Sequence, residues 1–523
     1  MNDRIDPFLL EIIWTRLTSI VDEAAATFVR TAFSSLAREA NDFAVVITDA
    51  DGRAMAQSSV SIPSFTGTVP TTIKHFLKRF PAASLHEGDI LITNDPWLGT
   101  GHIHDVTLAA PIFWNNALVA FAGITSHMPD IGGRLRSSGI REIYEEGLQI
   151  PMLKLVDKGR TNEDLIEMIR TNVRVPDATM GDIWGEVSAC HKVTERLHDL
   201  LGETKVNFQA LSRDIRDRSE QAMRDAIIAV PDGQYAYDIE HDGFEDKILI
   251  RCAITVESAT MKIDYSGTTL QLPRSVNVVP NYTSAYSIYG VKALLCPDIP
   301  NNEGSSAPIS IYAPEGCILN PRRPAASGAR GMIGHLLPTA IMGALADAAP
   351  HRVWAPGSGN SALTISGQHR GNQYVNVFFW NAGQGASASR DGLSVTSFPS
   401  NLSNSPIEHM EASVPMRVRH RRIRTGSGGA GINRGGEGLD FEFEFIGDSP
   451  AVVSFIMTRM RIPPPGIRGG HPGQPGVVTI NGEIRDVTEH VILTAGDVVR
   501  IKTAGGGGYG DPSGVREAAV AHS

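Results

Sequence analysis

Two apolar runs, "VTLAAPIFW" (Val106 to Trp114) and "ALVAFAGITSH" (Ala117 to His127), are separated only by Asn115-Asn116. The spacing predicts an antiparallel hairpin with its tip at the two asparagines, although Asn-Asn is a less specific turn than Asn-Gly. A hairpin centred there folds the end of the second run back beside the start of the first. That start is the polar stretch "NDPWLGTGHIHD" (Asn94 to Asp105), which carries His102, His104 and Asp105. His127 therefore joins this group, and the register favours His104 over Asp105 as its opposite number. Asp130 follows three residues later in "SHMPDIGG".

Two readings of this cluster stay open from the residues alone. One is a polar turn whose Asp and His side chains cap loops. The other is a metal site or proton relay, because several such groups at one sheet end must be desolvated together. Divalent ions of the first row take His and carboxylate ligands that converge from separate backbone positions, with one position left open.

The rest of the chain reads as α+β, a mixed multi-domain architecture. Its N-terminal half is helical and contains the hairpin; its C-terminal half is β-rich and Gly-rich. Asp6 and Pro7 open a long helix in which Leu10, Ile13, Leu17, Ala24 and Phe28 recur at helical spacing. "NDFAVVITDADGRAMAQ" reads as strand, D-G turn and strand, which puts Asp42 at a strand entrance. A helix is expected over "VPTTIKHFLKRF", and helices dominate from Asn162 to about Val230. From Pro231 the pattern turns to strands, and the last 100 residues read as short strands with Gly/Pro turns. Domain edges are expected near 230 and 415, dividing the chain into 1–230 with the polar cluster, a mixed region 231–415, and 416–523.

Composition excludes several classes. The 523 residues carry a formal net charge of -10 with 42% hydrophobic and 20% charged residues, which argues against a nucleic-acid surface. No apolar run approaches the roughly 20 residues needed to span a bilayer. The opening "MNDRIDPFLLEIIW" lacks the features of a signal peptide. The four cysteines, Cys190, Cys252, Cys296 and Cys317, show no CxxC spacing, so a reducing cytoplasm is expected and a thiolate metal site is not. "GSGGAG" (Gly426 to Gly431) and "GGGGYG" (Gly505 to Gly510) satisfy GxGxxG formally, but neither precedes a helix pattern, and a dinucleotide site is rejected. No GxxxxGK[ST] motif is present. The basic run "RVRHRRIR" (Arg417 to Arg424) reads as a solvated strand face or a subunit contact.

Several blocks in order resemble one family. "NDFAVVITDADGRAMAQ", "NDPWLGTGHIHDVTLAAPIF", "SHMPDIGG", "NVRVPDATMGDI", "PDIPNNEGSSAPISIYAPEGCILNPRRPA", "SGGAGINRGGEG" and "GGGGYGDP" together are similar to the hydantoinase B/oxoprolinase family. The resemblance implies that ATP is held by a separate A-type subunit, which phosphorylates the carbonyl oxygen of a small cyclic amide. It implies a divalent metal, zinc or manganese, in this chain, with Asp42, His102, Asp105 and His127 as ligands. His104 would then lie beside the metal as a base, and His104 or Asp130 would orient the attacking water. A hetero-oligomer such as A2B2 is the implied assembly. The same ligand set would serve an ATP-dependent ketone carboxylase of the acetone-carboxylase type. A non-catalytic partner of the ATPase subunit is the remaining alternative, disfavoured because all four ligand positions are retained.

Overall fold

The computed structural model describes residues 4–359 and 361–514. Asp6 caps the first helix, α1 (Pro7–Thr31), by accepting from the N–H groups of Phe8 and Leu9, with Pro7 in the first turn. Strands β1 (Phe43–Asp49) and β2 (Ala54–Gln57) follow, then helix α2 (Thr68–Arg79). Next come β3 (Ile90–Thr93), β4 (Asp105–Trp114), β5 (Ala117–His127), β6 (Leu153–Asp157) and β7 (Arg160–Thr161). The seven strands form one sheet in the order β2-β1-β5-β4-β3-β6-β7.

Helices cover both faces of this sheet. Val45 and Ile47 of β1 join the core formed with α1 and the long helix α3 (Pro176–Thr204), whereas Val46 joins Val69, Ile73 and Phe76 of α2. All seven residues of β1 are buried, and a sheet covered on both sides reads in sequence as an unbroken apolar run. Gly123 sets how closely α2 approaches, since a Cβ there would lie 2.5 Å from Val69 Cγ1.

Asn115 and Asn116 form the expected turn. Both have positive φ, 50° and 61°, the geometry whose twist matches a pair of strands. The register differs from one centred on that turn. Trp114 pairs with Ala117 and Phe113 with Leu118, but Ile112 pairs with Ala120, so Val119 is an extra residue on β5. This bulge shifts every later pair by one. His127 consequently lies opposite Asp105, and the expected pairing with His104 is corrected. His104 instead accepts a backbone hydrogen bond from Met128 N–H at 2.7 Å.

Beyond helix α4 (Phe208–Ile228), a second sheet contains β8 (Gly233–His241), β9 (Ile248–Glu257), β10 (Thr260–Asp264) and the parallel β11 (Ile309–Tyr312). It shares a core with helices α5 (Pro280–Leu295) and α6 (Leu337–Ala344). Two further sheets interleave in the C-terminal part. Strand Ser361–His369 pairs with Ala451–Ile456, so one of these sheets draws strands from both sides of residue 415. Among the described residues no helix is long and apolar enough to cross a membrane.

The glycine-rich stretches pack against backbone. Gly429 N–H donates to Gly506 O, Gly506 N–H to Gly436 O, and Gly508 N–H to His471 O. A Cβ on Gly506 would sit 2.0 Å from Gln384 O. Neither stretch opens a helix, as a dinucleotide loop must. Gly506→Ala is expected to lower unfolding free energy by about 1–3 kcal/mol through overpacking. Gly202→Ala, on α3 with only Trp114 Cη2 at 3.7 Å, should instead raise it by about 0.5–1 kcal/mol. Denaturant unfolding of both variants checks the two signs.

Candidate metal centre

The polar cluster forms where the open end of the β4–β5 hairpin meets a loop that precedes it. Asn94 pins that loop: its amide donates to Ile103 O at 2.7 Å and Leu148 O at 2.9 Å, and its oxygen accepts from Ile150 N–H at 2.6 Å. Asn281 of α5 donates to Trp97 O and Gly99 O, holding the loop from the other side. Gly101 has φ +114°, and a Cβ there would lie 2.9 Å from Arg330 Nε, so both conformation and space call for glycine.

His102, Asp105 and His127 are all buried, and one ligand atom from each lies within 4.8 Å of the others. His102 Nε2 is 2.5 Å from Asp105 Oδ1; His127 Nδ1 is 2.9 Å from the same oxygen and 3.1 Å from His102 Nε2. Asp105 Oδ2 is already taken, accepting from Thr100 Oγ1 and from Arg330 Nη2, each at 2.7 Å. Asp42 borders the same cavity, and its backbone carbonyl accepts from His127 N–H at 3.1 Å. The cavity holds about 60 Å³.

The charge states match this geometry. Burial, followed by the charge on Arg330, holds the His102 imidazole well below its usual range, so it is neutral. Burial alone would raise the Asp105 carboxyl, but His102, Arg330 and the hydrogen bonds from both imidazoles outweigh it and keep the carboxylate ionised. Burial pushes Asp42 up to about 6; His127 opposes this and Asp105 adds to it. His102 Nδ1 lies 3.3 Å from Gly328 O, a contact that favours the proton on Nδ1 and leaves a lone pair on Nε2. Electron pairs on Nε2, on His127 Nδ1 and on Asp105 Oδ1 then face one another. Such a set is stable only with protons or a cation among them, and its donors suit a divalent ion.

His104 is buried beside these groups. Its ring stacks on His127 with centroids 5.5 Å apart, and its Nδ1 has no hydrogen-bond partner. Burial and the neighbouring histidines hold it neutral, well below its usual range. Asp130 is placed differently from the role expected of it. Arg174 Nη1 donates to its Oδ1 at 2.6 Å, the Arg174 N–H donates to its Oδ2, and Asp130 does not line the cavity. Its carboxylate clamps a loop.

Sequence reasoning missed Arg136, Glu146, Tyr282 and Arg330. Arg330 joins the site from more than 200 residues away and stacks 4.3 Å over Tyr282. Arg136 Nε donates to Gly328 O at 2.8 Å. Glu146 Oε1 accepts from the N–H groups of Ser327 and Gly328, fixing the carbonyl that His102 faces. The available signal was the isolated arginine in "SGARG" (Ser327 to Gly331), a cation among small residues that leave it room to be buried.

A mixed α+β chain that gathers imidazoles and carboxylates at one buried cavity belongs, by fold and site, among proteins built to hold a metal. More specifically, the chain belongs to the hydantoinase B/oxoprolinase family, which matches residues 6–512. It is 29% identical to a protein from Pseudomonas sp. (strain NS671) named as the putative B component of a D-/L-hydantoinase, over 97% of this chain and 90% of that protein. The crystal structure of the ATP-dependent caprolactamase from Pseudomonas jessenii is similar with TM-score 0.87 and 26% identity, covering 97% of this chain and 92% of that one. The nucleotide-free acetone carboxylase structure shares the fold with TM-score 0.89 at 20% identity, covering 97% and 76%.

Glu146 provides a test of the clamp behind the site. Burial pushes its carboxyl from 4.5 up to about 7, against the pull of the two N–H groups. A carboxyl whose folded pKa is raised contributes less stability as pH climbs from about 4.5 to about 7. Glu146→Gln keeps an acceptor oxygen and cannot ionise. Unfolding free energies of wild type and variant should therefore diverge in the variant's favour across that window. Glu146→Ala strands two buried N–H groups and should cost about 2–4 kcal/mol at any pH.

Proposed function

We propose that this chain is the metal-bearing B-type subunit of an ATP-dependent cyclic-amide hydrolase acting on a hydantoin, oxoproline or lactam. The observation that carries the reading is the convergence of His102 Nε2, His127 Nδ1 and Asp105 Oδ1 at a buried cavity, with the second Asp105 oxygen anchored by Arg330 and Thr100. Asp42 is assigned as the fourth ligand from its place on the same cavity wall. Two imidazoles and two carboxylates suit zinc or manganese. Bound there, such an ion supplies Lewis acidity and lowers the pKa of water towards about 7.

The chain's own residues supply the remainder. Neutral His104 accepts a proton at Nδ1, the atom without a partner. With the Asp130 carboxylate held by Arg174, orientation of the attacking water falls to His104. Ile62, Phe379, Leu402 and Ile456 line the opposite wall, which suits the hydrocarbon part of a small ring. A cyclic amide is a poor electrophile, and phosphorylation of its oxygen by an A-type, ATP-binding partner makes that oxygen a leaving group. Two likenesses support the partner: the Pseudomonas relative is named as one component of a hydantoinase, and the caprolactamase is ATP-dependent. We place the pair as a hetero-oligomer such as A2B2. The unpaired cysteines are in keeping with the cytoplasm.

Ketone carboxylation is the second reading, favoured by the acetone carboxylase fold. This chain covers 92% of the caprolactamase chain but 76% of the acetone carboxylase chain, which supports hydrolysis. Asp105→Ala and His127→Ala are expected to lose most of the bound zinc or manganese, measured by elemental analysis; full metal content in both would overturn the ligand assignment. Mixed with its A-type partner and ATP, the chain should open hydantoins, oxoproline or a lactam without bicarbonate. Turnover that requires bicarbonate and a ketone would establish the carboxylase instead.

A further inference from the structure

Two guanidinium groups border the cavity that holds the metal-ligand cluster, and the hydrolase reading gives neither one a substrate to bind. Arg136 and Arg330 both line it. Arg330 is spoken for on one side, through Nη2 to Asp105, but its Nε is buried without a partner. Arg136 has Nε on Gly328 O, while its Nη1 is buried with no hydrogen-bond partner. Unsatisfied buried guanidinium N–H groups are costly, and a ligand that accepts from them removes that cost.

The charges on the walls point to the sign of the ligand. Asp42 and Asp105 are the carboxylates lining the cavity, and they offset the two arginines. Glu146 stands behind the Ser327–Gly328 backbone and does not line it. His335, also on the wall, is driven down to about 3 by burial and by both guanidiniums, so it stays neutral. Burial, and next the charge on Arg330, likewise brings Arg136 down to about 10, where it is still a cation at neutral pH. Loading a divalent ion leaves the cavity with two positive charges in excess. A neutral cyclic amide would not balance them; a dianion with several acceptor oxygens would.

We propose that Arg136 and Arg330 form an anion subsite beside His102, Asp105 and His127 that receives a tetrahedral phosphoryl group, with a hydrocarbon ring against the facing wall. The inference rests on the metal-subunit reading and deepens it by naming what the activated substrate presents. The wall opposite the arginines is apolar, formed by Ile62, Ala362, Phe379, Leu402 and Ile456. An anion carrying a small ring fits both walls, whereas released inorganic phosphate uses only one. Guanidinium matches the phosphoryl group because its planar fork donates to two oxygens at once.

Calorimetric titration of the full-length, metal-loaded chain with inorganic phosphate and with cyclopentyl phosphate separates these sources. Both are expected to bind, the ester more tightly. Arg136→Gln should weaken both by about 10- to 100-fold while metal content stays at the wild-type level. Arg136→Lys keeps the charge without the fork and should fall between. A chain that holds metal but binds neither anion, or an Arg136→Gln variant that binds both as wild type does, would overturn the subsite and leave the metal assignment intact. Equal affinity for phosphate and ester would overturn the role of the apolar wall. A wild-type chain with no metal would instead overturn the underlying function.

Discussion

Asp105 divides its two oxygens between structure and chemistry, and the site is organised around that division. Oδ2 is held by Arg330 and Thr100, while Oδ1 faces His102 and His127. The first pair keeps the carboxylate ionised and fixed in a cavity where burial alone would protonate it. Without them, the side chain would have freedom to rotate, and the cluster of lone pairs would have no fixed centre. Arg330 in turn needs its place over Tyr282, and Gly101 must lack a Cβ to admit it. A single ion pair thus links the hairpin end, the preceding loop, α5 and the Ser327–Arg330 segment.

That link explains why the site lies at a junction of segments. The seven-stranded sheet presents Asp42, Asp105 and His127 at one end, where β1, β4 and β5 are adjacent. The cover comes from later in the chain: Tyr282, Gly328 and Arg330, with Phe379 and Ile456 from the C-terminal sheets. Glu146 ties the cover down through two backbone N–H groups. A cavity closed this way excludes bulk water, which strengthens every charge interaction inside it.

Much of the fold was legible because its signals are local. Asp6 and Pro7 mark a helix start, and the hairpin turn needs only two residues able to adopt positive φ. The helices from Glu163 to Ile228 follow the apolar periodicity of their own sequence. The glycine stretches were separable from a nucleotide loop for an equally local reason, the lack of a following helix. The edge near 415 was a different matter: strand pairing between residues 361–369 and 451–456 depends on partners far apart in sequence. Asp130 was legible as a carboxylate close to the cluster, but Arg174, which occupies it, lies 44 residues away.

The sequence by itself determined the ligand types, the hairpin and the gathering of His102, Asp105 and His127 at one sheet end, because these follow from turn chemistry and spacing. It also carried the family resemblance, spread in order along nearly the whole chain. Only the tertiary structure decided which histidine faces which carboxylate, since one extra residue at Val119 moves the register by one and places His127 against Asp105. Only it could bring in Arg136, Glu146 and Arg330, whose roles depend on burial and on partners with no fixed distance along the chain. Local preferences set the elements; long-range desolvation and charge pairing set what the site can hold.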